Sequence, residues 1–180
     1  MKKIVHVVAV LTVIVLVAYA FVRGGSYDRA LRKAGMSRLG HGGYLVHYGK
    51  DAEDNDYLVR FAPEAILENG QVMTIALFLN RPFWGWRLER RVVSRLGDTS
   101  VMLTYGRPSN AEYYGYEKHV IYAGNNAVSE IESLTDVLPP NVTVDIISYP
   151  GSAYYCLHFM SYDDYEIAPE SLLRQKGYIK

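Results

Sequence analysis

Apolar residues are concentrated at the start of the chain, where one run continues almost without interruption from Ile4 to Val22. Only His6 and Thr12 are polar within these 19 residues. A helix of this length would be roughly 28 Å long at 1.5 Å per residue, which nearly matches the hydrocarbon thickness of a bilayer. Because the run lacks the one-sided apolar stripe of a soluble core helix, it predicts a transmembrane helix.

Two fates are open for this apolar run. Ala18-Tyr19-Ala20 matches the A-x-A pattern of signal-peptide sites, so cleavage after Ala20 would release a secreted soluble factor. The run contains no Gly or Pro, however, and it stays apolar beyond that site through Val22. We therefore expect an uncleaved membrane anchor at residues 1–25 and one folded domain at residues 26–180.

The basic residues that flank the run give conflicting indications of orientation. Those that follow it are Arg23, Arg29, Arg32, Lys33 and Arg38, whereas only Lys2 and Lys3 precede it. The positive-inside rule would place the domain in the cytoplasm. A very short basic tail before a long apolar run is also typical of exported proteins, so we expect a single-pass protein of the cell membrane with an extracytoplasmic domain.

The rest of the chain changes to short segments rich in apolar and β-branched residues, several of which alternate as half-buried strands do. The predicted strands are YLVHY at 44–48, DYLVRF at 56–61, VMTIALFL at 72–79, WGWRLERRVVSR at 84–95, SVMLTY at 100–105, HVIYA at 119–123, VTVDIIS at 142–148 and AYYCLHFMSY at 153–162. We expect the first two to form a hairpin around the acidic loop DAEDN. The last two flank Pro150-Gly151, which fits the centre of a type II turn.

The segment 84–95 predicts a strand with one apolar and one charged face. Its apolar face would consist of Trp86, Leu88 and Val92. Its charged face would consist of Arg87, Glu89, Arg91 and Arg95. The arginines of that face are candidate contacts for an anionic polymer or a lipid head group, although a solvated sheet face is the ordinary outcome.

Three segments predict short helices behind the anchor. YDRALRKA would begin after Ser26 as its N-cap and end before Gly35 as the C′ residue. The segment at 127–138 has helical spacing, and the third would run from Pro169 to Gly177. With the strands, this order predicts an α+β fold: an N-terminal transmembrane helix followed by one mostly antiparallel sheet domain with two or three short helices.

Composition and charge narrow the classes of function. Hydrophobic residues make up 49% and charged residues 21% of the chain, which is typical of a globular domain. Nineteen basic residues balance nineteen acidic ones, so there is no overall positive field and we expect no nucleic-acid partner. Cys156 is the only cysteine, so an intramolecular disulfide is excluded.

Two motifs have the residue types of a metal or catalytic site but not the spacing. Cys156 and His158 would share a strand face, yet two further ligands are missing, so a buried cysteine beside a satisfied histidine is the better interpretation. The acidic loop that starts at Asp51 resembles a calcium loop, but its sixth position is Asp56 and its twelfth is Ala62, where Gly and Glu are needed. We expect no cofactor, no metal site and no catalytic residues.

Tyrosine is the most over-represented residue type, with sixteen in the chain, most of them in the second half. Tyr113, Tyr114 and Tyr116 are close enough in sequence to form one interaction surface, because tyrosine gives a large contact area at a small entropic cost. Packing across the sheet is the alternative role for these rings.

The segments GGYLVHYGK, DYLVRF and WGWRLERRVV, placed behind a basic and apolar leader, resemble small single-pass membrane-anchored proteins of unknown function from Gram-positive bacteria. In that group a strand pair often precedes a G-W-x-W-like segment, whereas the order here is Trp84-Gly85-Trp86. The resemblance implies a bacterial envelope location and carries over no functional residues.

The function expected from the sequence is therefore that of a membrane-anchored envelope protein with a non-enzymatic binding domain. Its partners would be membrane lipid, through the N-terminal helix, and a protein or envelope polymer. Two alternatives remain: the secreted factor released after Ala20, and an envelope hydrolase whose acid–base residues lie among the carboxylates and His119 or His158.

Overall fold

The computed structural model describes residues 2–36, 43–51, 53–95, 100–108, 116–125, 142–149 and 154–162. These residues form one helix and eight strands. They are α1 (Lys2–Ala34), β1 (Tyr44–Lys50), β2 (Asp56–Leu67), β3 (Gly70–Arg81), β4 (Gly85–Val93), β5 (Ser100–Pro108), β6 (Tyr116–Asn125), β7 (Val142–Ser148) and β8 (Tyr154–Tyr162). The predicted helices at 127–138 and 169–177, and the Pro150-Gly151 turn, lie outside the described residues.

The strands form two antiparallel sheets of four strands each, with the orders β1-β2-β3-β4 and β5-β6-β8-β7. The α+β class and the antiparallel pairing are confirmed, as are the pairings of β1 with β2 and of β7 with β8. The sequence prediction did not specify the number of sheets, and the strands divide between two. Alternation predicts which residues face inward, but it does not reveal that the chain leaves one sheet after β4 and starts another with β5.

The two sheets pack face to face around one apolar core. The first sheet contributes buried residues of β1, β2 and β3, and the second contributes buried residues of β5, β6 and β8. The bulkiest of them are Tyr57, Phe61, Ile75, Leu103, Tyr105 and Ile121. Residues from both sheets alternate between this core and an outer face, as a β-sandwich requires.

The C-terminal part of α1 packs on the outer face of the first sheet and runs along β4. Small residues on both sides allow close contact, and the buried set consists of Ala30, Leu31, Ala34 and Met36 against Leu58, Ala62, Ala65, Ala76 and Phe78. The helix ends before Gly35, which is its C′ residue as predicted. Its φ of +78° favours glycine, and the N–H groups of Gly35 and Met36 donate to the carbonyls of Arg32 and Leu31 at 3.0 and 2.9 Å, which is the Schellman pattern.

The prediction of a separate helix beginning at Ser26 is wrong, because α1 continues through Gly24 and Gly25 without a break. Each glycine disfavours a helix by about 1 kcal/mol, a penalty that the helical segments on both sides outweigh. Ser26 is not an N-cap. Its hydroxyl oxygen instead accepts a hydrogen bond from the backbone N–H of Trp86 at 2.7 Å and so ties the helix to β4.

A β-bulge at Glu89 overturns the predicted faces of the fourth strand. Leu88 pairs with Phe78 and Arg90 pairs with Leu77, so Glu89 is the extra residue. A bulge exchanges the faces of the residues that follow it. Trp86 and Leu88 accordingly pack towards α1, whereas Val92 packs in the core between the sheets.

The arginines of β4 are separated by the same bulge. The Arg91 guanidinium donates to the Lys33 carbonyl on the helix side at 2.6 Å, and that of Arg90 donates to the Thr104 carbonyl of the second sheet at 2.7 Å. Arg87 lies over the ring of Trp84 at 4.9 Å. The prediction that Arg87 and Arg91 share one charged face is therefore wrong.

Candidate functional site

A second β-bulge, in β1, turns a histidine into the space between the sheets. Leu45 pairs with Arg60 and His47 pairs with Val59, which leaves Val46 as the extra residue. Without the bulge, His47 would face outward. Bulges often redirect a side chain in this way, and here His47 meets residues of the second sheet.

Three histidines from three strands meet at this place, and we call His47, His119 and His158 the histidine cluster. Their ring centroids are 4.6 Å (His47–His158), 5.3 Å (His119–His158) and 5.4 Å (His47–His119) apart. His119 and His158 are buried, whereas His47 is half-buried. The Nδ1 atom of His119 lies 3.0 Å from Nε2 of His158, so one of these nitrogens carries the proton and the other accepts it.

Two tyrosines of the sandwich core hold the rings of the cluster. The Tyr57 hydroxyl is hydrogen-bonded to Nε2 of His47 at 3.2 Å, and the Tyr105 ring stacks on that of His119 at 4.6 Å. Gly49 makes room for Tyr57, because a Cβ atom at position 49 would lie 2.7 Å from its Cζ and hydroxyl oxygen. The cluster is therefore an ordered polar network inside an apolar core.

Burial disfavours the charged forms of two members of the cluster, His47 and His158. It lowers the pKa of His158 to about 3, with a further lowering by the neighbouring His47. Burial also lowers the pKa of His47, against an opposite effect of the Asp145 carboxylate. Asp145 is mostly exposed, and its Oδ2 lies 4.0 Å from Nδ1 of His158. A proton added to either ring would thus create a poorly solvated charge.

The chemistry open to this cluster is limited by its geometry. Within the described part of the chain, no three His, Cys, Asp or Glu side chains are arranged to hold a metal ion. His119 and His158, the histidines of the hydrolase hypothesis, do lie side by side, but they are enclosed between the sheets. A substrate would have to approach from the half-exposed side, at His47, and the hydrolase stays an untested prediction.

Cys156 belongs to the core, as the sequence led us to expect. It is buried, and burial raises its pKa to about 12, although a hydrogen bond from the Tyr149 hydroxyl at 3.4 Å acts in the opposite direction. It therefore remains a thiol at neutral pH, and a thiolate is what nucleophilic or metal chemistry would require.

The acidic loop between β1 and β2 uses its oxygens internally. Asp51 Oδ1 accepts hydrogen bonds from the backbone N–H groups of Glu53 and Asn55 at 3.0 and 2.8 Å, and Lys50 pairs with Asp54 at 2.8 Å. These contacts support the predicted hairpin tip over a calcium loop.

The turn between β3 and β4, at the same end of the first sheet, is apolar and exposed. We call Pro82, Phe83 and Trp84 the aromatic tip. Phe83 is 84% and Trp84 63% exposed. The N–H of Trp84 donates to the Arg81 carbonyl at 3.2 Å, which closes a turn with proline second and a residue of φ +63°, Phe83, third. That backbone conformation normally favours glycine.

The structure places the residues predicted for an interaction surface in different regions. Arg87 lies beside the aromatic tip and Arg91 beside the end of α1, while Arg95 follows β4. Tyr113 and Tyr114 lie outside the described residues, and Tyr116 begins β6. The tyrosine surface therefore stays a prediction.

Sequence reasoning missed His47 and the aromatic tip. For the tip a signal exists: Pro82 followed by two aromatic residues and Gly85 combines turn residues with side chains that a turn does not normally bury. Comparison with known proteins finds no matching family model, no similar curated protein and no similar solved structure.

Proposed function

We propose that this chain is a single-pass membrane protein of the bacterial cell envelope whose β-sandwich acts as a binding domain fixed at the bilayer surface. The observation that carries the proposal is the division of α1. Its residues 4–22 are exposed along their whole length, whereas Ala30, Leu31 and Ala34 are buried against the first sheet. The helix is long and apolar enough to cross a membrane.

Exposure of the apolar half is the main energetic argument for a lipid environment. Fourteen large apolar or aromatic side chains between Ile4 and Val22 are 43 to 81% exposed. At about 1.5 kcal/mol per side chain, removing them from water contributes about 20 kcal/mol, which exceeds the usual stability of a whole domain, 5–15 kcal/mol. A bilayer removes this surface from water without any change of fold.

The hydroxyl of Thr12 and the backbone of the span are compatible with lipid. The Thr12 hydroxyl donates to the carbonyl of Val8 at 2.9 Å, so its hydrogen bond is made inside the helix. The backbone from Lys2 to Ala34 is one unbroken helix, which satisfies the backbone hydrogen bonds of the span within the segment itself.

Membrane retention and orientation can be tested on the full chain. We expect it to stay in the membrane pellet during alkaline extraction, to have its complete mass, and to be digested by protease added outside spheroplasts. Loss of twenty residues would instead indicate cleavage after Ala20 and a secreted factor. Full-length protein in the detergent-free soluble fraction would contradict membrane anchoring, and protection from external protease would contradict the extracytoplasmic orientation.

The binding role is proposed for the tyrosine-rich half and a cell-wall polymer or envelope protein as partner. Isolated cell walls from a Gram-positive bacterium provide the probe. We expect detergent-solubilised protein to co-sediment with them, and the triple variant Tyr113→Ser, Tyr114→Ser, Tyr116→Ser to lose most of this binding. Tyr48→Ser is the matched control, because Tyr48 is an exposed tyrosine of the first sheet. Equal binding by both variants would contradict the assignment of the surface.

A further inference from the structure

The aromatic tip exposes apolar surface that the described part of the fold leaves uncovered. Phe83 and Trp84 are among the most exposed large apolar residues outside the span, at 84% and 63%. Phe83 also has a φ of +63°, a conformation that is strained for a bulky side chain. The tip thus combines backbone strain with exposed aromatic area, and neither stabilises the sandwich.

The position of the tip relative to α1 indicates what covers it. Phe83 lines one groove together with Tyr19 and Val22, and a second groove together with Phe21 and Val22. Trp84 lines the second groove as well. Tyr19, Phe21 and Val22 are the last residues of the apolar run, so the tip lies at the level where the helix leaves the bilayer.

Side chains around the tip are those of a membrane interface. Trp and Tyr rings are enriched at the head-group level because they are apolar with a polar edge, which fits Trp84 and Tyr19, and Phe83 adds apolar area beside them. The Arg87 guanidinium lies 4.9 Å from the centre of the Trp84 ring, and Arg81 borders the turn. Acidic residues of the β1–β2 loop, Asp54 and Asp56, line the first groove too. Both positive and negative side chains therefore border the tip. Because their effects on a lipid surface oppose each other, we attribute the attraction to lipid to the aromatic rings.

We propose that the aromatic tip is a second membrane contact, which inserts into the interfacial region of the same bilayer that α1 spans. The inference rests on the proposed membrane anchoring, and it assigns the surface to lipid, not to a second copy of the chain or to another protein. It also gives the domain a fixed face towards the membrane, because two separated contacts define an orientation that one helix alone does not.

Tryptophan quenching in vesicles tests this contact with the full chain. The protein is reconstituted in phosphatidylcholine vesicles that contain lipids with a spin label near the head group. Wild type has Trp84 and Trp86, whereas Trp84→Phe keeps only Trp86, which packs against Tyr27 at 5.5 Å. We expect severalfold stronger quenching in wild type than in Trp84→Phe. We also expect Trp84 to be shielded from a water-soluble quencher.

Two control variants in the Trp84→Phe background separate failure of this proposal from failure of membrane anchoring. Val13→Trp places a probe in the span, and Asn69→Trp places one at the turn at the opposite end of β3, about 36 Å away by strand length. We expect labels at mid-chain depth to quench the probe at position 13, and no lipid label to quench the probe at position 69.

Each outcome decides the question. If the probe at position 13 is quenched and Trp84 is open to the aqueous quencher, anchoring stands and the tip contact is overturned. If Trp84 is shielded from water but not quenched by labelled lipid, protein covers the tip and the proposal is also overturned. If the probe at position 13 is not quenched, membrane anchoring itself fails.

Discussion

Two regions of this protein reverse the usual distribution of apolar and polar residues. Along residues 4–22 of α1, every side chain except those of His6 and Thr12 is apolar or aromatic, and every one is exposed. In the space between the sheets, His119 and His158 are polar and almost completely buried. The first region exposes apolar side chains, and the second buries titratable side chains between the sheets.

The difference lies in where each region finds its partner. The buried histidines contact groups within the chain: His119 and His158 hydrogen-bond to each other, and the Tyr105 ring stacks on His119, so their placement tells us about the stability of the fold. The exposed span belongs to none of the core clusters formed by the described residues, so its placement tells us about the medium around it. Buried polar groups that contact each other within the fold serve its stability. A large apolar surface that the fold leaves exposed indicates a site of interaction.

The largest effect is expected from charges placed in the span. The double variant Val10→Asp, Ile14→Asp adds two carboxylates near the centre of a transmembrane helix, which disfavours insertion by about 6 kcal/mol. We expect loss of the protein from the membrane pellet after alkaline extraction. The near-ultraviolet circular dichroism of the domain should not change, because Val10 and Ile14 are both 57% exposed. Val10→Leu, Ile14→Leu is the control, and retention of the charged variant would contradict the proposal.

Next in size is a matched pair of leucine truncations within the same helix. Leu31→Ala removes a side chain that is 8% exposed and packs on the first sheet, which should lower the free energy of unfolding by about 3 kcal/mol. Leu16→Ala removes the same atoms from a position that is 60% exposed, and the domain should not be affected. Denaturant unfolding in detergent micelles measures both. Equal losses of unfolding free energy in the two variants would contradict the division of α1 into an exposed half and a packed half.

Acid should destabilise the sandwich through the histidine cluster. The pKa of His158 falls from 6.5 when unfolded to about 3 when folded, so the unfolded state binds the proton first as the pH drops. The stability is complete above pH 6.5 and is lost progressively towards pH 3, with about 2 kcal/mol gone at pH 5 from this residue alone. The lowered pKa of His47 acts in the same direction.

Comparing pH profiles of unfolding free energy isolates this contribution. His158→Gln should flatten the profile between pH 6.5 and 4, whereas Asp145→Asn, which keeps all three rings, should leave the acid sensitivity in place. Identical profiles for wild type and His158→Gln would mean that other groups cause the acid response.

The smallest effect is expected at the aromatic tip. Phe83→Gly relieves a strained backbone angle, worth about 1 kcal/mol, and loses about as much through the freedom of glycine in the unfolded chain. The free energy of unfolding in detergent should therefore change by less than about 1 kcal/mol in Phe83→Gly, and by as little in Phe83→Ala, which keeps the strain and adds no glycine freedom. A loss of several kcal/mol in both variants would argue that the fold itself uses the Phe83 ring.

Local patterns predicted the strands of this protein well, because the apolar and polar residues of each strand indicate which of its side chains are buried. All eight described strands overlap the predicted segments, and Gly35 ends the helix where a positive φ is required. The continuity of α1 was not predictable from local rules. Two adjacent glycines indicate a boundary, and only the segments on both sides reveal that helical structure persists across them.

The histidine cluster and the positions of the β4 arginines depend on features that the sequence does not indicate. Val46 and Glu89 are single extra residues in otherwise regular strands, and each exchanges the faces of the residues that follow. One turns His47 towards His119 and His158, and the other separates Arg87 from Arg91. Packing across the sheets decides which strand contains an extra residue. The spacing of residues in the sequence therefore could not predict that the three histidines meet or that the β4 arginines lie on different faces.

Gly24 and Gly25 lie inside the unbroken helix α1, between its exposed apolar run and the segment that packs on the first sheet, and a Cβ atom at either position would meet nothing within 4 Å. When an unbroken helix of this kind tilts, the sheet that is packed on it moves with it. A lean of about 20°, common for single spans, would displace a point about 36 Å up the first sheet sideways by about 12 Å. In the proposed membrane arrangement, a change of bilayer thickness would then shift the far rim of the domain, and the paired glycines are residues at which a helix bends readily.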